Sequence, residues 1–338
     1  MAKLFIQIPC FNEATTLPAT VRDLPRSMPG IDVVEVLVID DGSRDDTSEV
    51  ARACGVDHVI RFRSHKGLAA AFMAGLDASV KRGADYIVNT DADNQYAGSE
   101  IPRLLAPLLR GEADIVIGNR NINTLRHMPR LKRWLQIVGS WVVRQVSNTR
   151  VPDTTCGFRA YTREAALRQT IVSEFSYTLE SIIQAGKKRM AIAHVPITTN
   201  QNTRESRLFD NVFTYIKKSA VTIVRIYAMY EPLKVFTLFG LTSCTAGFAI
   251  SLRFLYYYVN DAGQGHLQSL ILSAVLLIVG FQLLLIGLMA DILSANRKLT
   301  EELLYRVRSL DLKLPSPRPE SLDERPAESA ERIGVGAR

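Results

Sequence analysis

The chain has 338 residues, 47% of them apolar, and a formal net charge of +7. That length allows one large domain with further elements attached. The four scattered cysteines (Cys10, Cys54, Cys156, Cys244), with no Cys-x-x-Cys pair, exclude a zinc ribbon or a disulfide scaffold and fit a reducing compartment.

Met1-Ala2-Lys3 leads into only five residues, four of them apolar, before Pro9, so no secretory signal is expected. From there short β-rich runs alternate with helix-like stretches. The runs are Leu4–Ile8, Val33–Ile39, His58–Arg61, Tyr86–Val88 and Asp114–Ile117. The stretches between them are Thr15–Leu24, Thr47–Cys54, Lys66–Arg82 and Ser99–Arg110. Such alternation predicts an α/β fold: a Rossmann-like, mostly parallel sheet covered on both faces, with ligands at the carboxyl ends of its strands. Polar residues follow each run: Pro9-Cys10-Phe11-Asn12-Glu13, Asp40-Asp41-Gly42-Ser43, His65-Lys66-Gly67, Asp91-Ala92-Asp93 and Gly118-Asn119-Arg120. One polar turn means little; five at one sheet edge predict a site.

Neither Gly-x-Gly-x-x-Gly nor Gly-x-x-x-x-Gly-Lys-Ser/Thr is present, which argues against a dinucleotide fold and a P-loop enzyme. Asp91 and Asp93 are like charges one residue apart and repel unless something positive lies between them. A hard divalent cation, held by one or two carboxylates and by substrate phosphates, meets that need.

Beyond residue 207 the composition changes. Phe209, Val212, Phe213, Ile216, Ala220, Ile223, Val224 and Tyr227 recur at helical spacing opposite Asn211, Lys218 and Arg225, which predicts an amphipathic helix over 208–231 lying on a bilayer surface. Leu267–Ala290 holds 24 residues without a charge, about 36 Å as a helix, enough to cross a hydrocarbon core of about 30 Å. Val235–Leu252 is a second uncharged run with Gly240, Ser243, Ala246 and Gly247 for close helix packing. Two spans, about 233–258 and 267–291, are therefore expected within 232–292. Arg253 and Tyr256-Tyr257-Tyr258 mark an interface. Lys217, Lys218, Arg225 and Lys234 precede the pair, and Arg297, Lys298, Arg306 and Arg308 follow it. By the positive-inside rule both termini and the large domain face the cytosol. Residues 293–312 read as a separate cytosolic helix whose stripe Leu299, Leu303, Val307, Leu310 either joins protomers or docks on the same chain. The tail 313–338, rich in Pro, Glu and Arg, reads as disordered.

The ordered blocks IPCFNE (8–13), VIDDGSRDDT (38–47), HKGLAAAFMAG (65–75), TDADNQY (90–96), IVIGNR (115–120), DTTCGFRAY (153–161) and RESRLF (204–209) resemble the family 2 glycosyltransferases, from about Leu4 to Phe209. The resemblance is strongest to enzymes that charge dolichyl or undecaprenyl phosphate with a sugar, including bacterial members with a two-helix anchor. It implies a catalytic domain of the glycosyltransferase A type over 1–207. Pro9, Asn12, Glu13 and Asp41 then match positions that hold the nucleotide, with Lys66 and Asp91 beside them. Asp91, Asp93 and Gln95 match the metal and diphosphate site, for Mg²⁺ or Mn²⁺. Arg120 matches an arginine that meets the acceptor phosphate, Arg133 is taken as the second, and Arg204 matches an arginine on a loop near the phosphates. The family usually has lysine where Arg207 stands. Glu180 is the candidate acid beyond the sugar pocket, as base or as sugar ligand. With Asp93, Arg120 and Arg204 it completes the expected catalytic set.

Simpler readings stand beside these. Asp40, Asp41, Asp45 or Asp46 can cap the following helix. His65 and His194 read as structural or surface residues, lacking a second His or Cys at metal spacing. Arg126, Arg130 and Arg133 can form a solvated basic face. The expected function is inverting transfer of a sugar from a nucleotide-diphosphate sugar to a polyprenyl phosphate at the cytosolic face of the inner membrane, serving cell-envelope glycans. No nucleic-acid partner is expected, and self-association is left open. The alternatives are a membrane-anchored family 2 enzyme acting on a glycolipid or polysaccharide, and an inactive membrane scaffold.

Overall fold

The computed structural model describes residues 1–120, 130–172, 177–200, 221, 225, 230–260 and 267–312, with side chains from 139 onward in the helix that opens at Arg130. Arg126, Arg204, Arg207, most of the expected amphipathic helix and the tail 313–338 lie outside the described residues, as does the side chain of Arg133.

Seven strands form one sheet: β1 (Lys3–Cys10), β2 (Val33–Asp40), β3 (His58–Arg61), β4 (Tyr86–Asn89), β5 (Ile115–Asn119), β6 (Arg159–Thr162) and β7 (Ile192–Pro196). Their order is β3-β2-β1-β4-β6-β5-β7. The β1–β2, β1–β4, β2–β3 and β5–β7 pairs are parallel, while β6 runs antiparallel to both β4 and β5. The central strands are apolar on both faces: Leu4, Phe5, Ile6, Val36, Leu37, Val38, Ile87 and Val88 are fully buried. Such runs are what a sheet covered on both sides requires.

The covering helices are α1 (Leu17–Asp23), α2 (Thr47–Ala53), α3 (Leu68–Lys81), α4 (Ile101–Leu109), α5 (Arg130–Ser147), α6 (Arg163–Arg168) and α7 (Tyr177–Lys187). The expected strands and helices up to residue 120 all form, with ends shifted by one or two residues. Gly75 lets α3 approach the sheet, because a Cβ there would lie 2.4 Å from Gln7 Oε1 and 2.8 Å from Ile39 Cδ1.

Two long helices complete the chain, α8 (Pro232–Val259) and α9 (Leu267–Asp311). Both are long and apolar enough to span a membrane. Their large apolar side chains point outwards: Leu238, Phe239, Phe248, Ile278 and Phe281 are each about 60% exposed. Between the helices the packing relies on small residues. A Cβ at Gly280 would meet Cys244 Sγ at 2.5 Å, and one at Gly240 would meet Gly280 O at 2.9 Å. Ser273 Oγ donates to Gly247 O at 2.7 Å.

Residues 293–312 do not form a separate helix. They continue α9 as one rod of 45 residues, because no Gly or Pro follows Gly287 within it and the Arg297–Glu301 and Glu302–Arg306 pairs support the extension at i,i+4. One face of α9, read every seventh residue, is buried: Ser273, Gly280, Gly287 and Ser294. On the same face Glu301 then pairs with Lys188 at 3.0 Å, and Arg308 Nη1 donates to Gln169 O at 2.9 Å. The rod thus packs on α8 and then on the sheet domain.

Candidate active site

The reversed strand β6 builds the site. Parallel β1, β2, β4 and β5 deliver their carboxyl ends to one edge, and antiparallel β6 delivers its amino end there, together with the preceding loop Asp153–Phe158. Register makes the meeting specific: Arg159 lies opposite both Asn89 and Ile117. Asp91, two residues past Asn89, therefore faces Gly157, two residues before Arg159. A Cβ on Gly157 would lie 3.0 Å from both Asp91 carboxylate oxygens and 3.0 Å from Tyr177 Oη. Only glycine leaves that floor clear.

Beneath the floor is a buried polar network in which, among the described residues, Gln7 Oε1 has no hydrogen-bond partner. Gln7 Nε2 donates to Asn89 Oδ1 at 2.9 Å, and Asn89 Nδ2 donates to Gly157 O and Tyr177 Oη, both at 2.9 Å. Gly157 N donates to Tyr96 Oη at 3.2 Å, and Tyr96 stacks on Phe158. Arg159 is fully buried and donates to Cys156 O at 2.7 Å and Thr154 O at 3.0 Å, so it shapes the loop from below.

Arg120 directly follows β5 and is held as a fork. Its Nε donates to Asp153 Oδ2 at 2.7 Å, and its Nη2 donates to Asp153 Oδ1 at 3.0 Å and Thr155 Oγ1 at 2.8 Å. Asp153 is fully enclosed. Burial alone would raise its pKa, but the Arg120 guanidinium and Thr155 override that and hold it below the usual carboxylate range.

Asp91 behaves in the opposite way. Burial first, and then the neighbouring Asp93 charge, push it up to about 7 in spite of Arg120 and Arg159. No hydrogen bond from a described residue to its carboxylate is seen, whereas Asp93 Oδ1 accepts from Gln95 N at 3.1 Å. A partly buried carboxylate without a donor, beside a second carboxylate, is short of positive charge. Asp91 and Asp93 therefore fit a divalent cation whose other oxygens come from a diphosphate and water. Among the described residues no group of three or more His, Cys, Asp or Glu forms a complete cage.

The other expected residues have definite places. Asp41 accepts from Lys66 N at 2.7 Å and Gly67 N at 2.8 Å and pairs with His65 Nδ1 at 2.9 Å, so it pins the start of α3 to the end of β2. Gly42 (φ +70°) allows the tight approach of Ser64 and His65, since a Cβ would lie 2.7 Å from Ser64 C. Asn12 (φ 55°) accepts from Arg44 N at 2.8 Å, tying the first loop to the second. Glu13 N donates to Thr47 Oγ1 at 3.0 Å, and its own carbonyl accepts from Leu17 N at the start of α1. Pro9 pairs in register with Ile39. The Lys66 ammonium lies over the Phe62 ring at 4.9 Å. Glu180 is buried and accepts from Val172 N at 3.1 Å and from Gln184 Nε2 at 3.3 Å.

Two features are not evident from sequence. Phe11 stacks on His65 with ring centroids 4.1 Å apart, making an open aromatic surface beside Asp41. The segment after β7 also returns over the carboxylate loop: Asn200 N donates to Gln95 O at 2.9 Å, and Asn200 Nδ2 donates to Asn94 O at 3.0 Å. Arg204 follows only four residues later, a reach of about 14 Å.

The sequence profile of Glycosyl transferase family 2 matches residues 5–168. The polyprenol monophosphomannose synthase of Mycolicibacterium smegmatis is 31% identical over 207 residues, covering 58% of this chain and 77% of that protein. The undecaprenyl-phosphate mannosyltransferase of Micrococcus luteus is 31% identical over 201 residues, covering 56% and 81%. Among solved structures, glucosyl-3-phosphoglycerate synthase from Mycobacterium tuberculosis, in complex with Mn²⁺, UDP-glucose and phosphoglyceric acid, superposes with a TM-score of 0.53 at 19% identity, covering 67% of this chain and 80% of that one. The fold is that of a glycosyltransferase A-type domain followed by two helices long and apolar enough to span a membrane. The chain belongs to glycosyl transferase family 2.

Proposed function

We propose that this protein transfers a sugar from a nucleotide-diphosphate sugar to a polyprenyl phosphate at the membrane face, inverting the anomeric centre and releasing the nucleoside diphosphate. The observation that carries the reading is the meeting, at one sheet edge, of the Asp91 carboxylate, which accepts no hydrogen bond from a described residue, with the clamped guanidinium of Arg120. The first suits a cation-bound diphosphate and the second a phosphate acceptor. The two apolar helices, and the likeness to a polyprenol monophosphomannose synthase and an undecaprenyl-phosphate mannosyltransferase, support a lipid-borne acceptor.

In this reading Asp91 and Asp93, with Gln95, hold Mg²⁺ or Mn²⁺ against the donor diphosphate. When bound, such an ion acts as a Lewis acid that stabilises the charge on the departing diphosphate. The Phe11–His65 surface stacks the base, and the loops carrying Pro9, Asn12, Glu13, Asp41 and Lys66 frame the nucleotide. Arg120, aimed by Asp153, orients the acceptor phosphate, with Arg133 and Arg204 as further phosphate contacts. A phosphate monoester has a second pKa near 6, so the nucleophile arrives charged. One of its oxygens forms the new bond to the anomeric carbon as the bond to the diphosphate oxygen breaks. Little general-base work is needed.

The test is a panel of UDP- and GDP-sugars offered with undecaprenyl phosphate. The expected product is a mild-acid-labile lipid-phosphate sugar that forms only with a divalent cation. Label appearing instead in a glycolipid or polysaccharide fraction would favour a family 2 enzyme with a different acceptor.

A further inference from the structure

The carboxylate loop between β4 and α4 does not hold itself together. Among the described residues it makes no backbone-to-backbone hydrogen bond within 91–96. Asn94 takes the left-handed conformation (φ 54°), which asparagine tolerates better than most residues. Asp91 and Asp93 also repel each other while no cation lies between them. Left to itself, such a loop would spread its two carboxylates apart.

Residues from outside grip it on both sides of Asp93. On one side α1 supplies them: Thr20 Oγ1 donates to Ala92 O at 2.9 Å, and Asp23 Oδ2 accepts from Gly98 N at 2.6 Å. Thr20 is buried, and the other acceptor within its reach, Thr16 O, lies at 3.5 Å, so the bond to the loop is the shorter. On the other side the segment after β7 supplies Asn200. Its Nδ2 donates to Asn94 O at 3.0 Å and its backbone N to Gln95 O at 2.9 Å. That segment is itself anchored, because Ile197 N donates to Asn119 O at 3.0 Å and Thr198 Oγ1 donates to Glu100 Oε1 at 2.6 Å. The carbonyls of both neighbours of Asp93 are thus tied to residues 72 and 106 positions away.

We propose that Thr20 and Asn200 are positioning residues for the cation and diphosphate site. By fixing the backbone before and after Asp93, they hold two like charges at the separation a cation needs. The work against repulsion is then done when the chain folds rather than when the ion arrives, and a site organised in advance binds more tightly. Both residues act through the backbone of the loop. The proposal rests on the reading of Asp91 and Asp93 as cation ligands, and it is independent of which sugar or lipid the enzyme uses.

The test uses the full chain in mild detergent. Thr20→Val keeps the shape of the side chain and removes its donor, Thr20→Ser keeps the donor, and Asn200→Ala removes one of the two bonds from that residue. These are compared with the parent and with Asp93→Asn by calorimetric titration of Mn²⁺ in the presence of UDP and, separately, of GDP. Hydrogen exchange is followed in the metal-free proteins. Thr20→Val and Asn200→Ala should each weaken Mn²⁺ binding about 10-fold, as loss of an outer partner of a metal ligand does. Exchange should speed up at the amides of 91–97 and stay unchanged in the central strands, and Thr20→Ser should bind Mn²⁺ as the parent does. Parent-like affinity in Thr20→Val and Asn200→Ala, with Asp93→Asn weakened, would overturn the positioning role and leave the cation site standing. Parent-like affinity in Asp93→Asn, or no Mn²⁺ binding by the parent, would overturn the cation site and the positioning role with it. Weakened binding accompanied by faster exchange throughout the sheet, or shared by Thr20→Ser, would mark general loosening of the fold and also overturn the proposal.

Discussion

Arg120 and Asp153 illustrate how a single side chain is prepared for work. A lone arginine at a strand end would sample many rotamers, but the two Asp153 oxygens and Thr155 fix the plane of its guanidinium. Asp153→Asn should leave Arg120 charged and half-paired in a buried setting, destabilising the domain by about 3 kcal/mol, readable as a lower urea midpoint. Because the folded pKa of Asp153 lies below its unfolded value, the pair contributes fully above pH about 4 and is lost as pH falls through the folded value. The variant should therefore lose part of the acid limb of the unfolding profile. At the carboxylate pair, Asp93→Asn removes the charge that a divalent cation requires. Transfer should fall at least about 100-fold, equivalent to about 2.7 kcal/mol, while circular dichroism stays unchanged and Mn²⁺ titration shows weaker binding. Unaltered Mn²⁺ affinity would move the metal elsewhere.

Elements are where the sequence is easiest to read and where it first goes silent. The first five strands and four helices announce themselves through β-rich runs, turn residues and helical periodicity. Between residues 130 and 200 the elements α5, β6, α6, α7 and β7 carry no comparable signal in the sequence. β6 has four residues, too few for a period, and opens with an arginine that reads as a surface residue although it is fully buried. The two apolar helices are legible by length and composition, and their contact by its small residues. Gly280→Val should push α9 off Cys244 and cost about 1–3 kcal/mol by overpacking. A lower thermal midpoint in detergent, with the nucleotide-domain midpoint unchanged, would show the effect confined to the hairpin. A Gly280→Val protein as stable as the parent would mean that the helices do not pack as described.

On the scale of the whole molecule, the continuous α9 joins the membrane part to the catalytic part. Glu301 is the hub: it pairs with Lys188, directly after α7, and with Arg297 one turn away, and it accepts from Tyr230 Oη at 3.2 Å. Lys187 also pairs with Glu231, just ahead of α8. Glu301→Gln should loosen this junction by about 1–3 kcal/mol. Hydrogen exchange should then speed up in Arg297–Leu312 and in the last turn of α7, while the central strands stay protected. Equal protection in both proteins would show that packing through Tyr305 and Leu312 is enough.

Features of local pattern are legible in the residues alone: the alternation that makes a parallel α/β sheet, the polar strand ends, the adjacent carboxylates and the two uncharged apolar runs. These follow from periodicity, turn chemistry and charge repulsion, which act over a few residues. Only the tertiary structure decided what depends on distant parts meeting. The reversal of β6 brings Gly157 under Asp91 and Asp153 to Arg120, pairs separated by 66 and 33 positions. Packing of α3 against the end of β2 occupies Asp41 with the backbone N–H groups of Lys66 and Gly67, and Glu180 accepts from Val172 N. For Leu299–Leu310 the sequence left docking and self-association equally open. The structure shows Glu301 and Arg308 docked on the catalytic domain and the apolar stripe facing away, because a helix that is bound along one side must present its other side to whatever lies beyond.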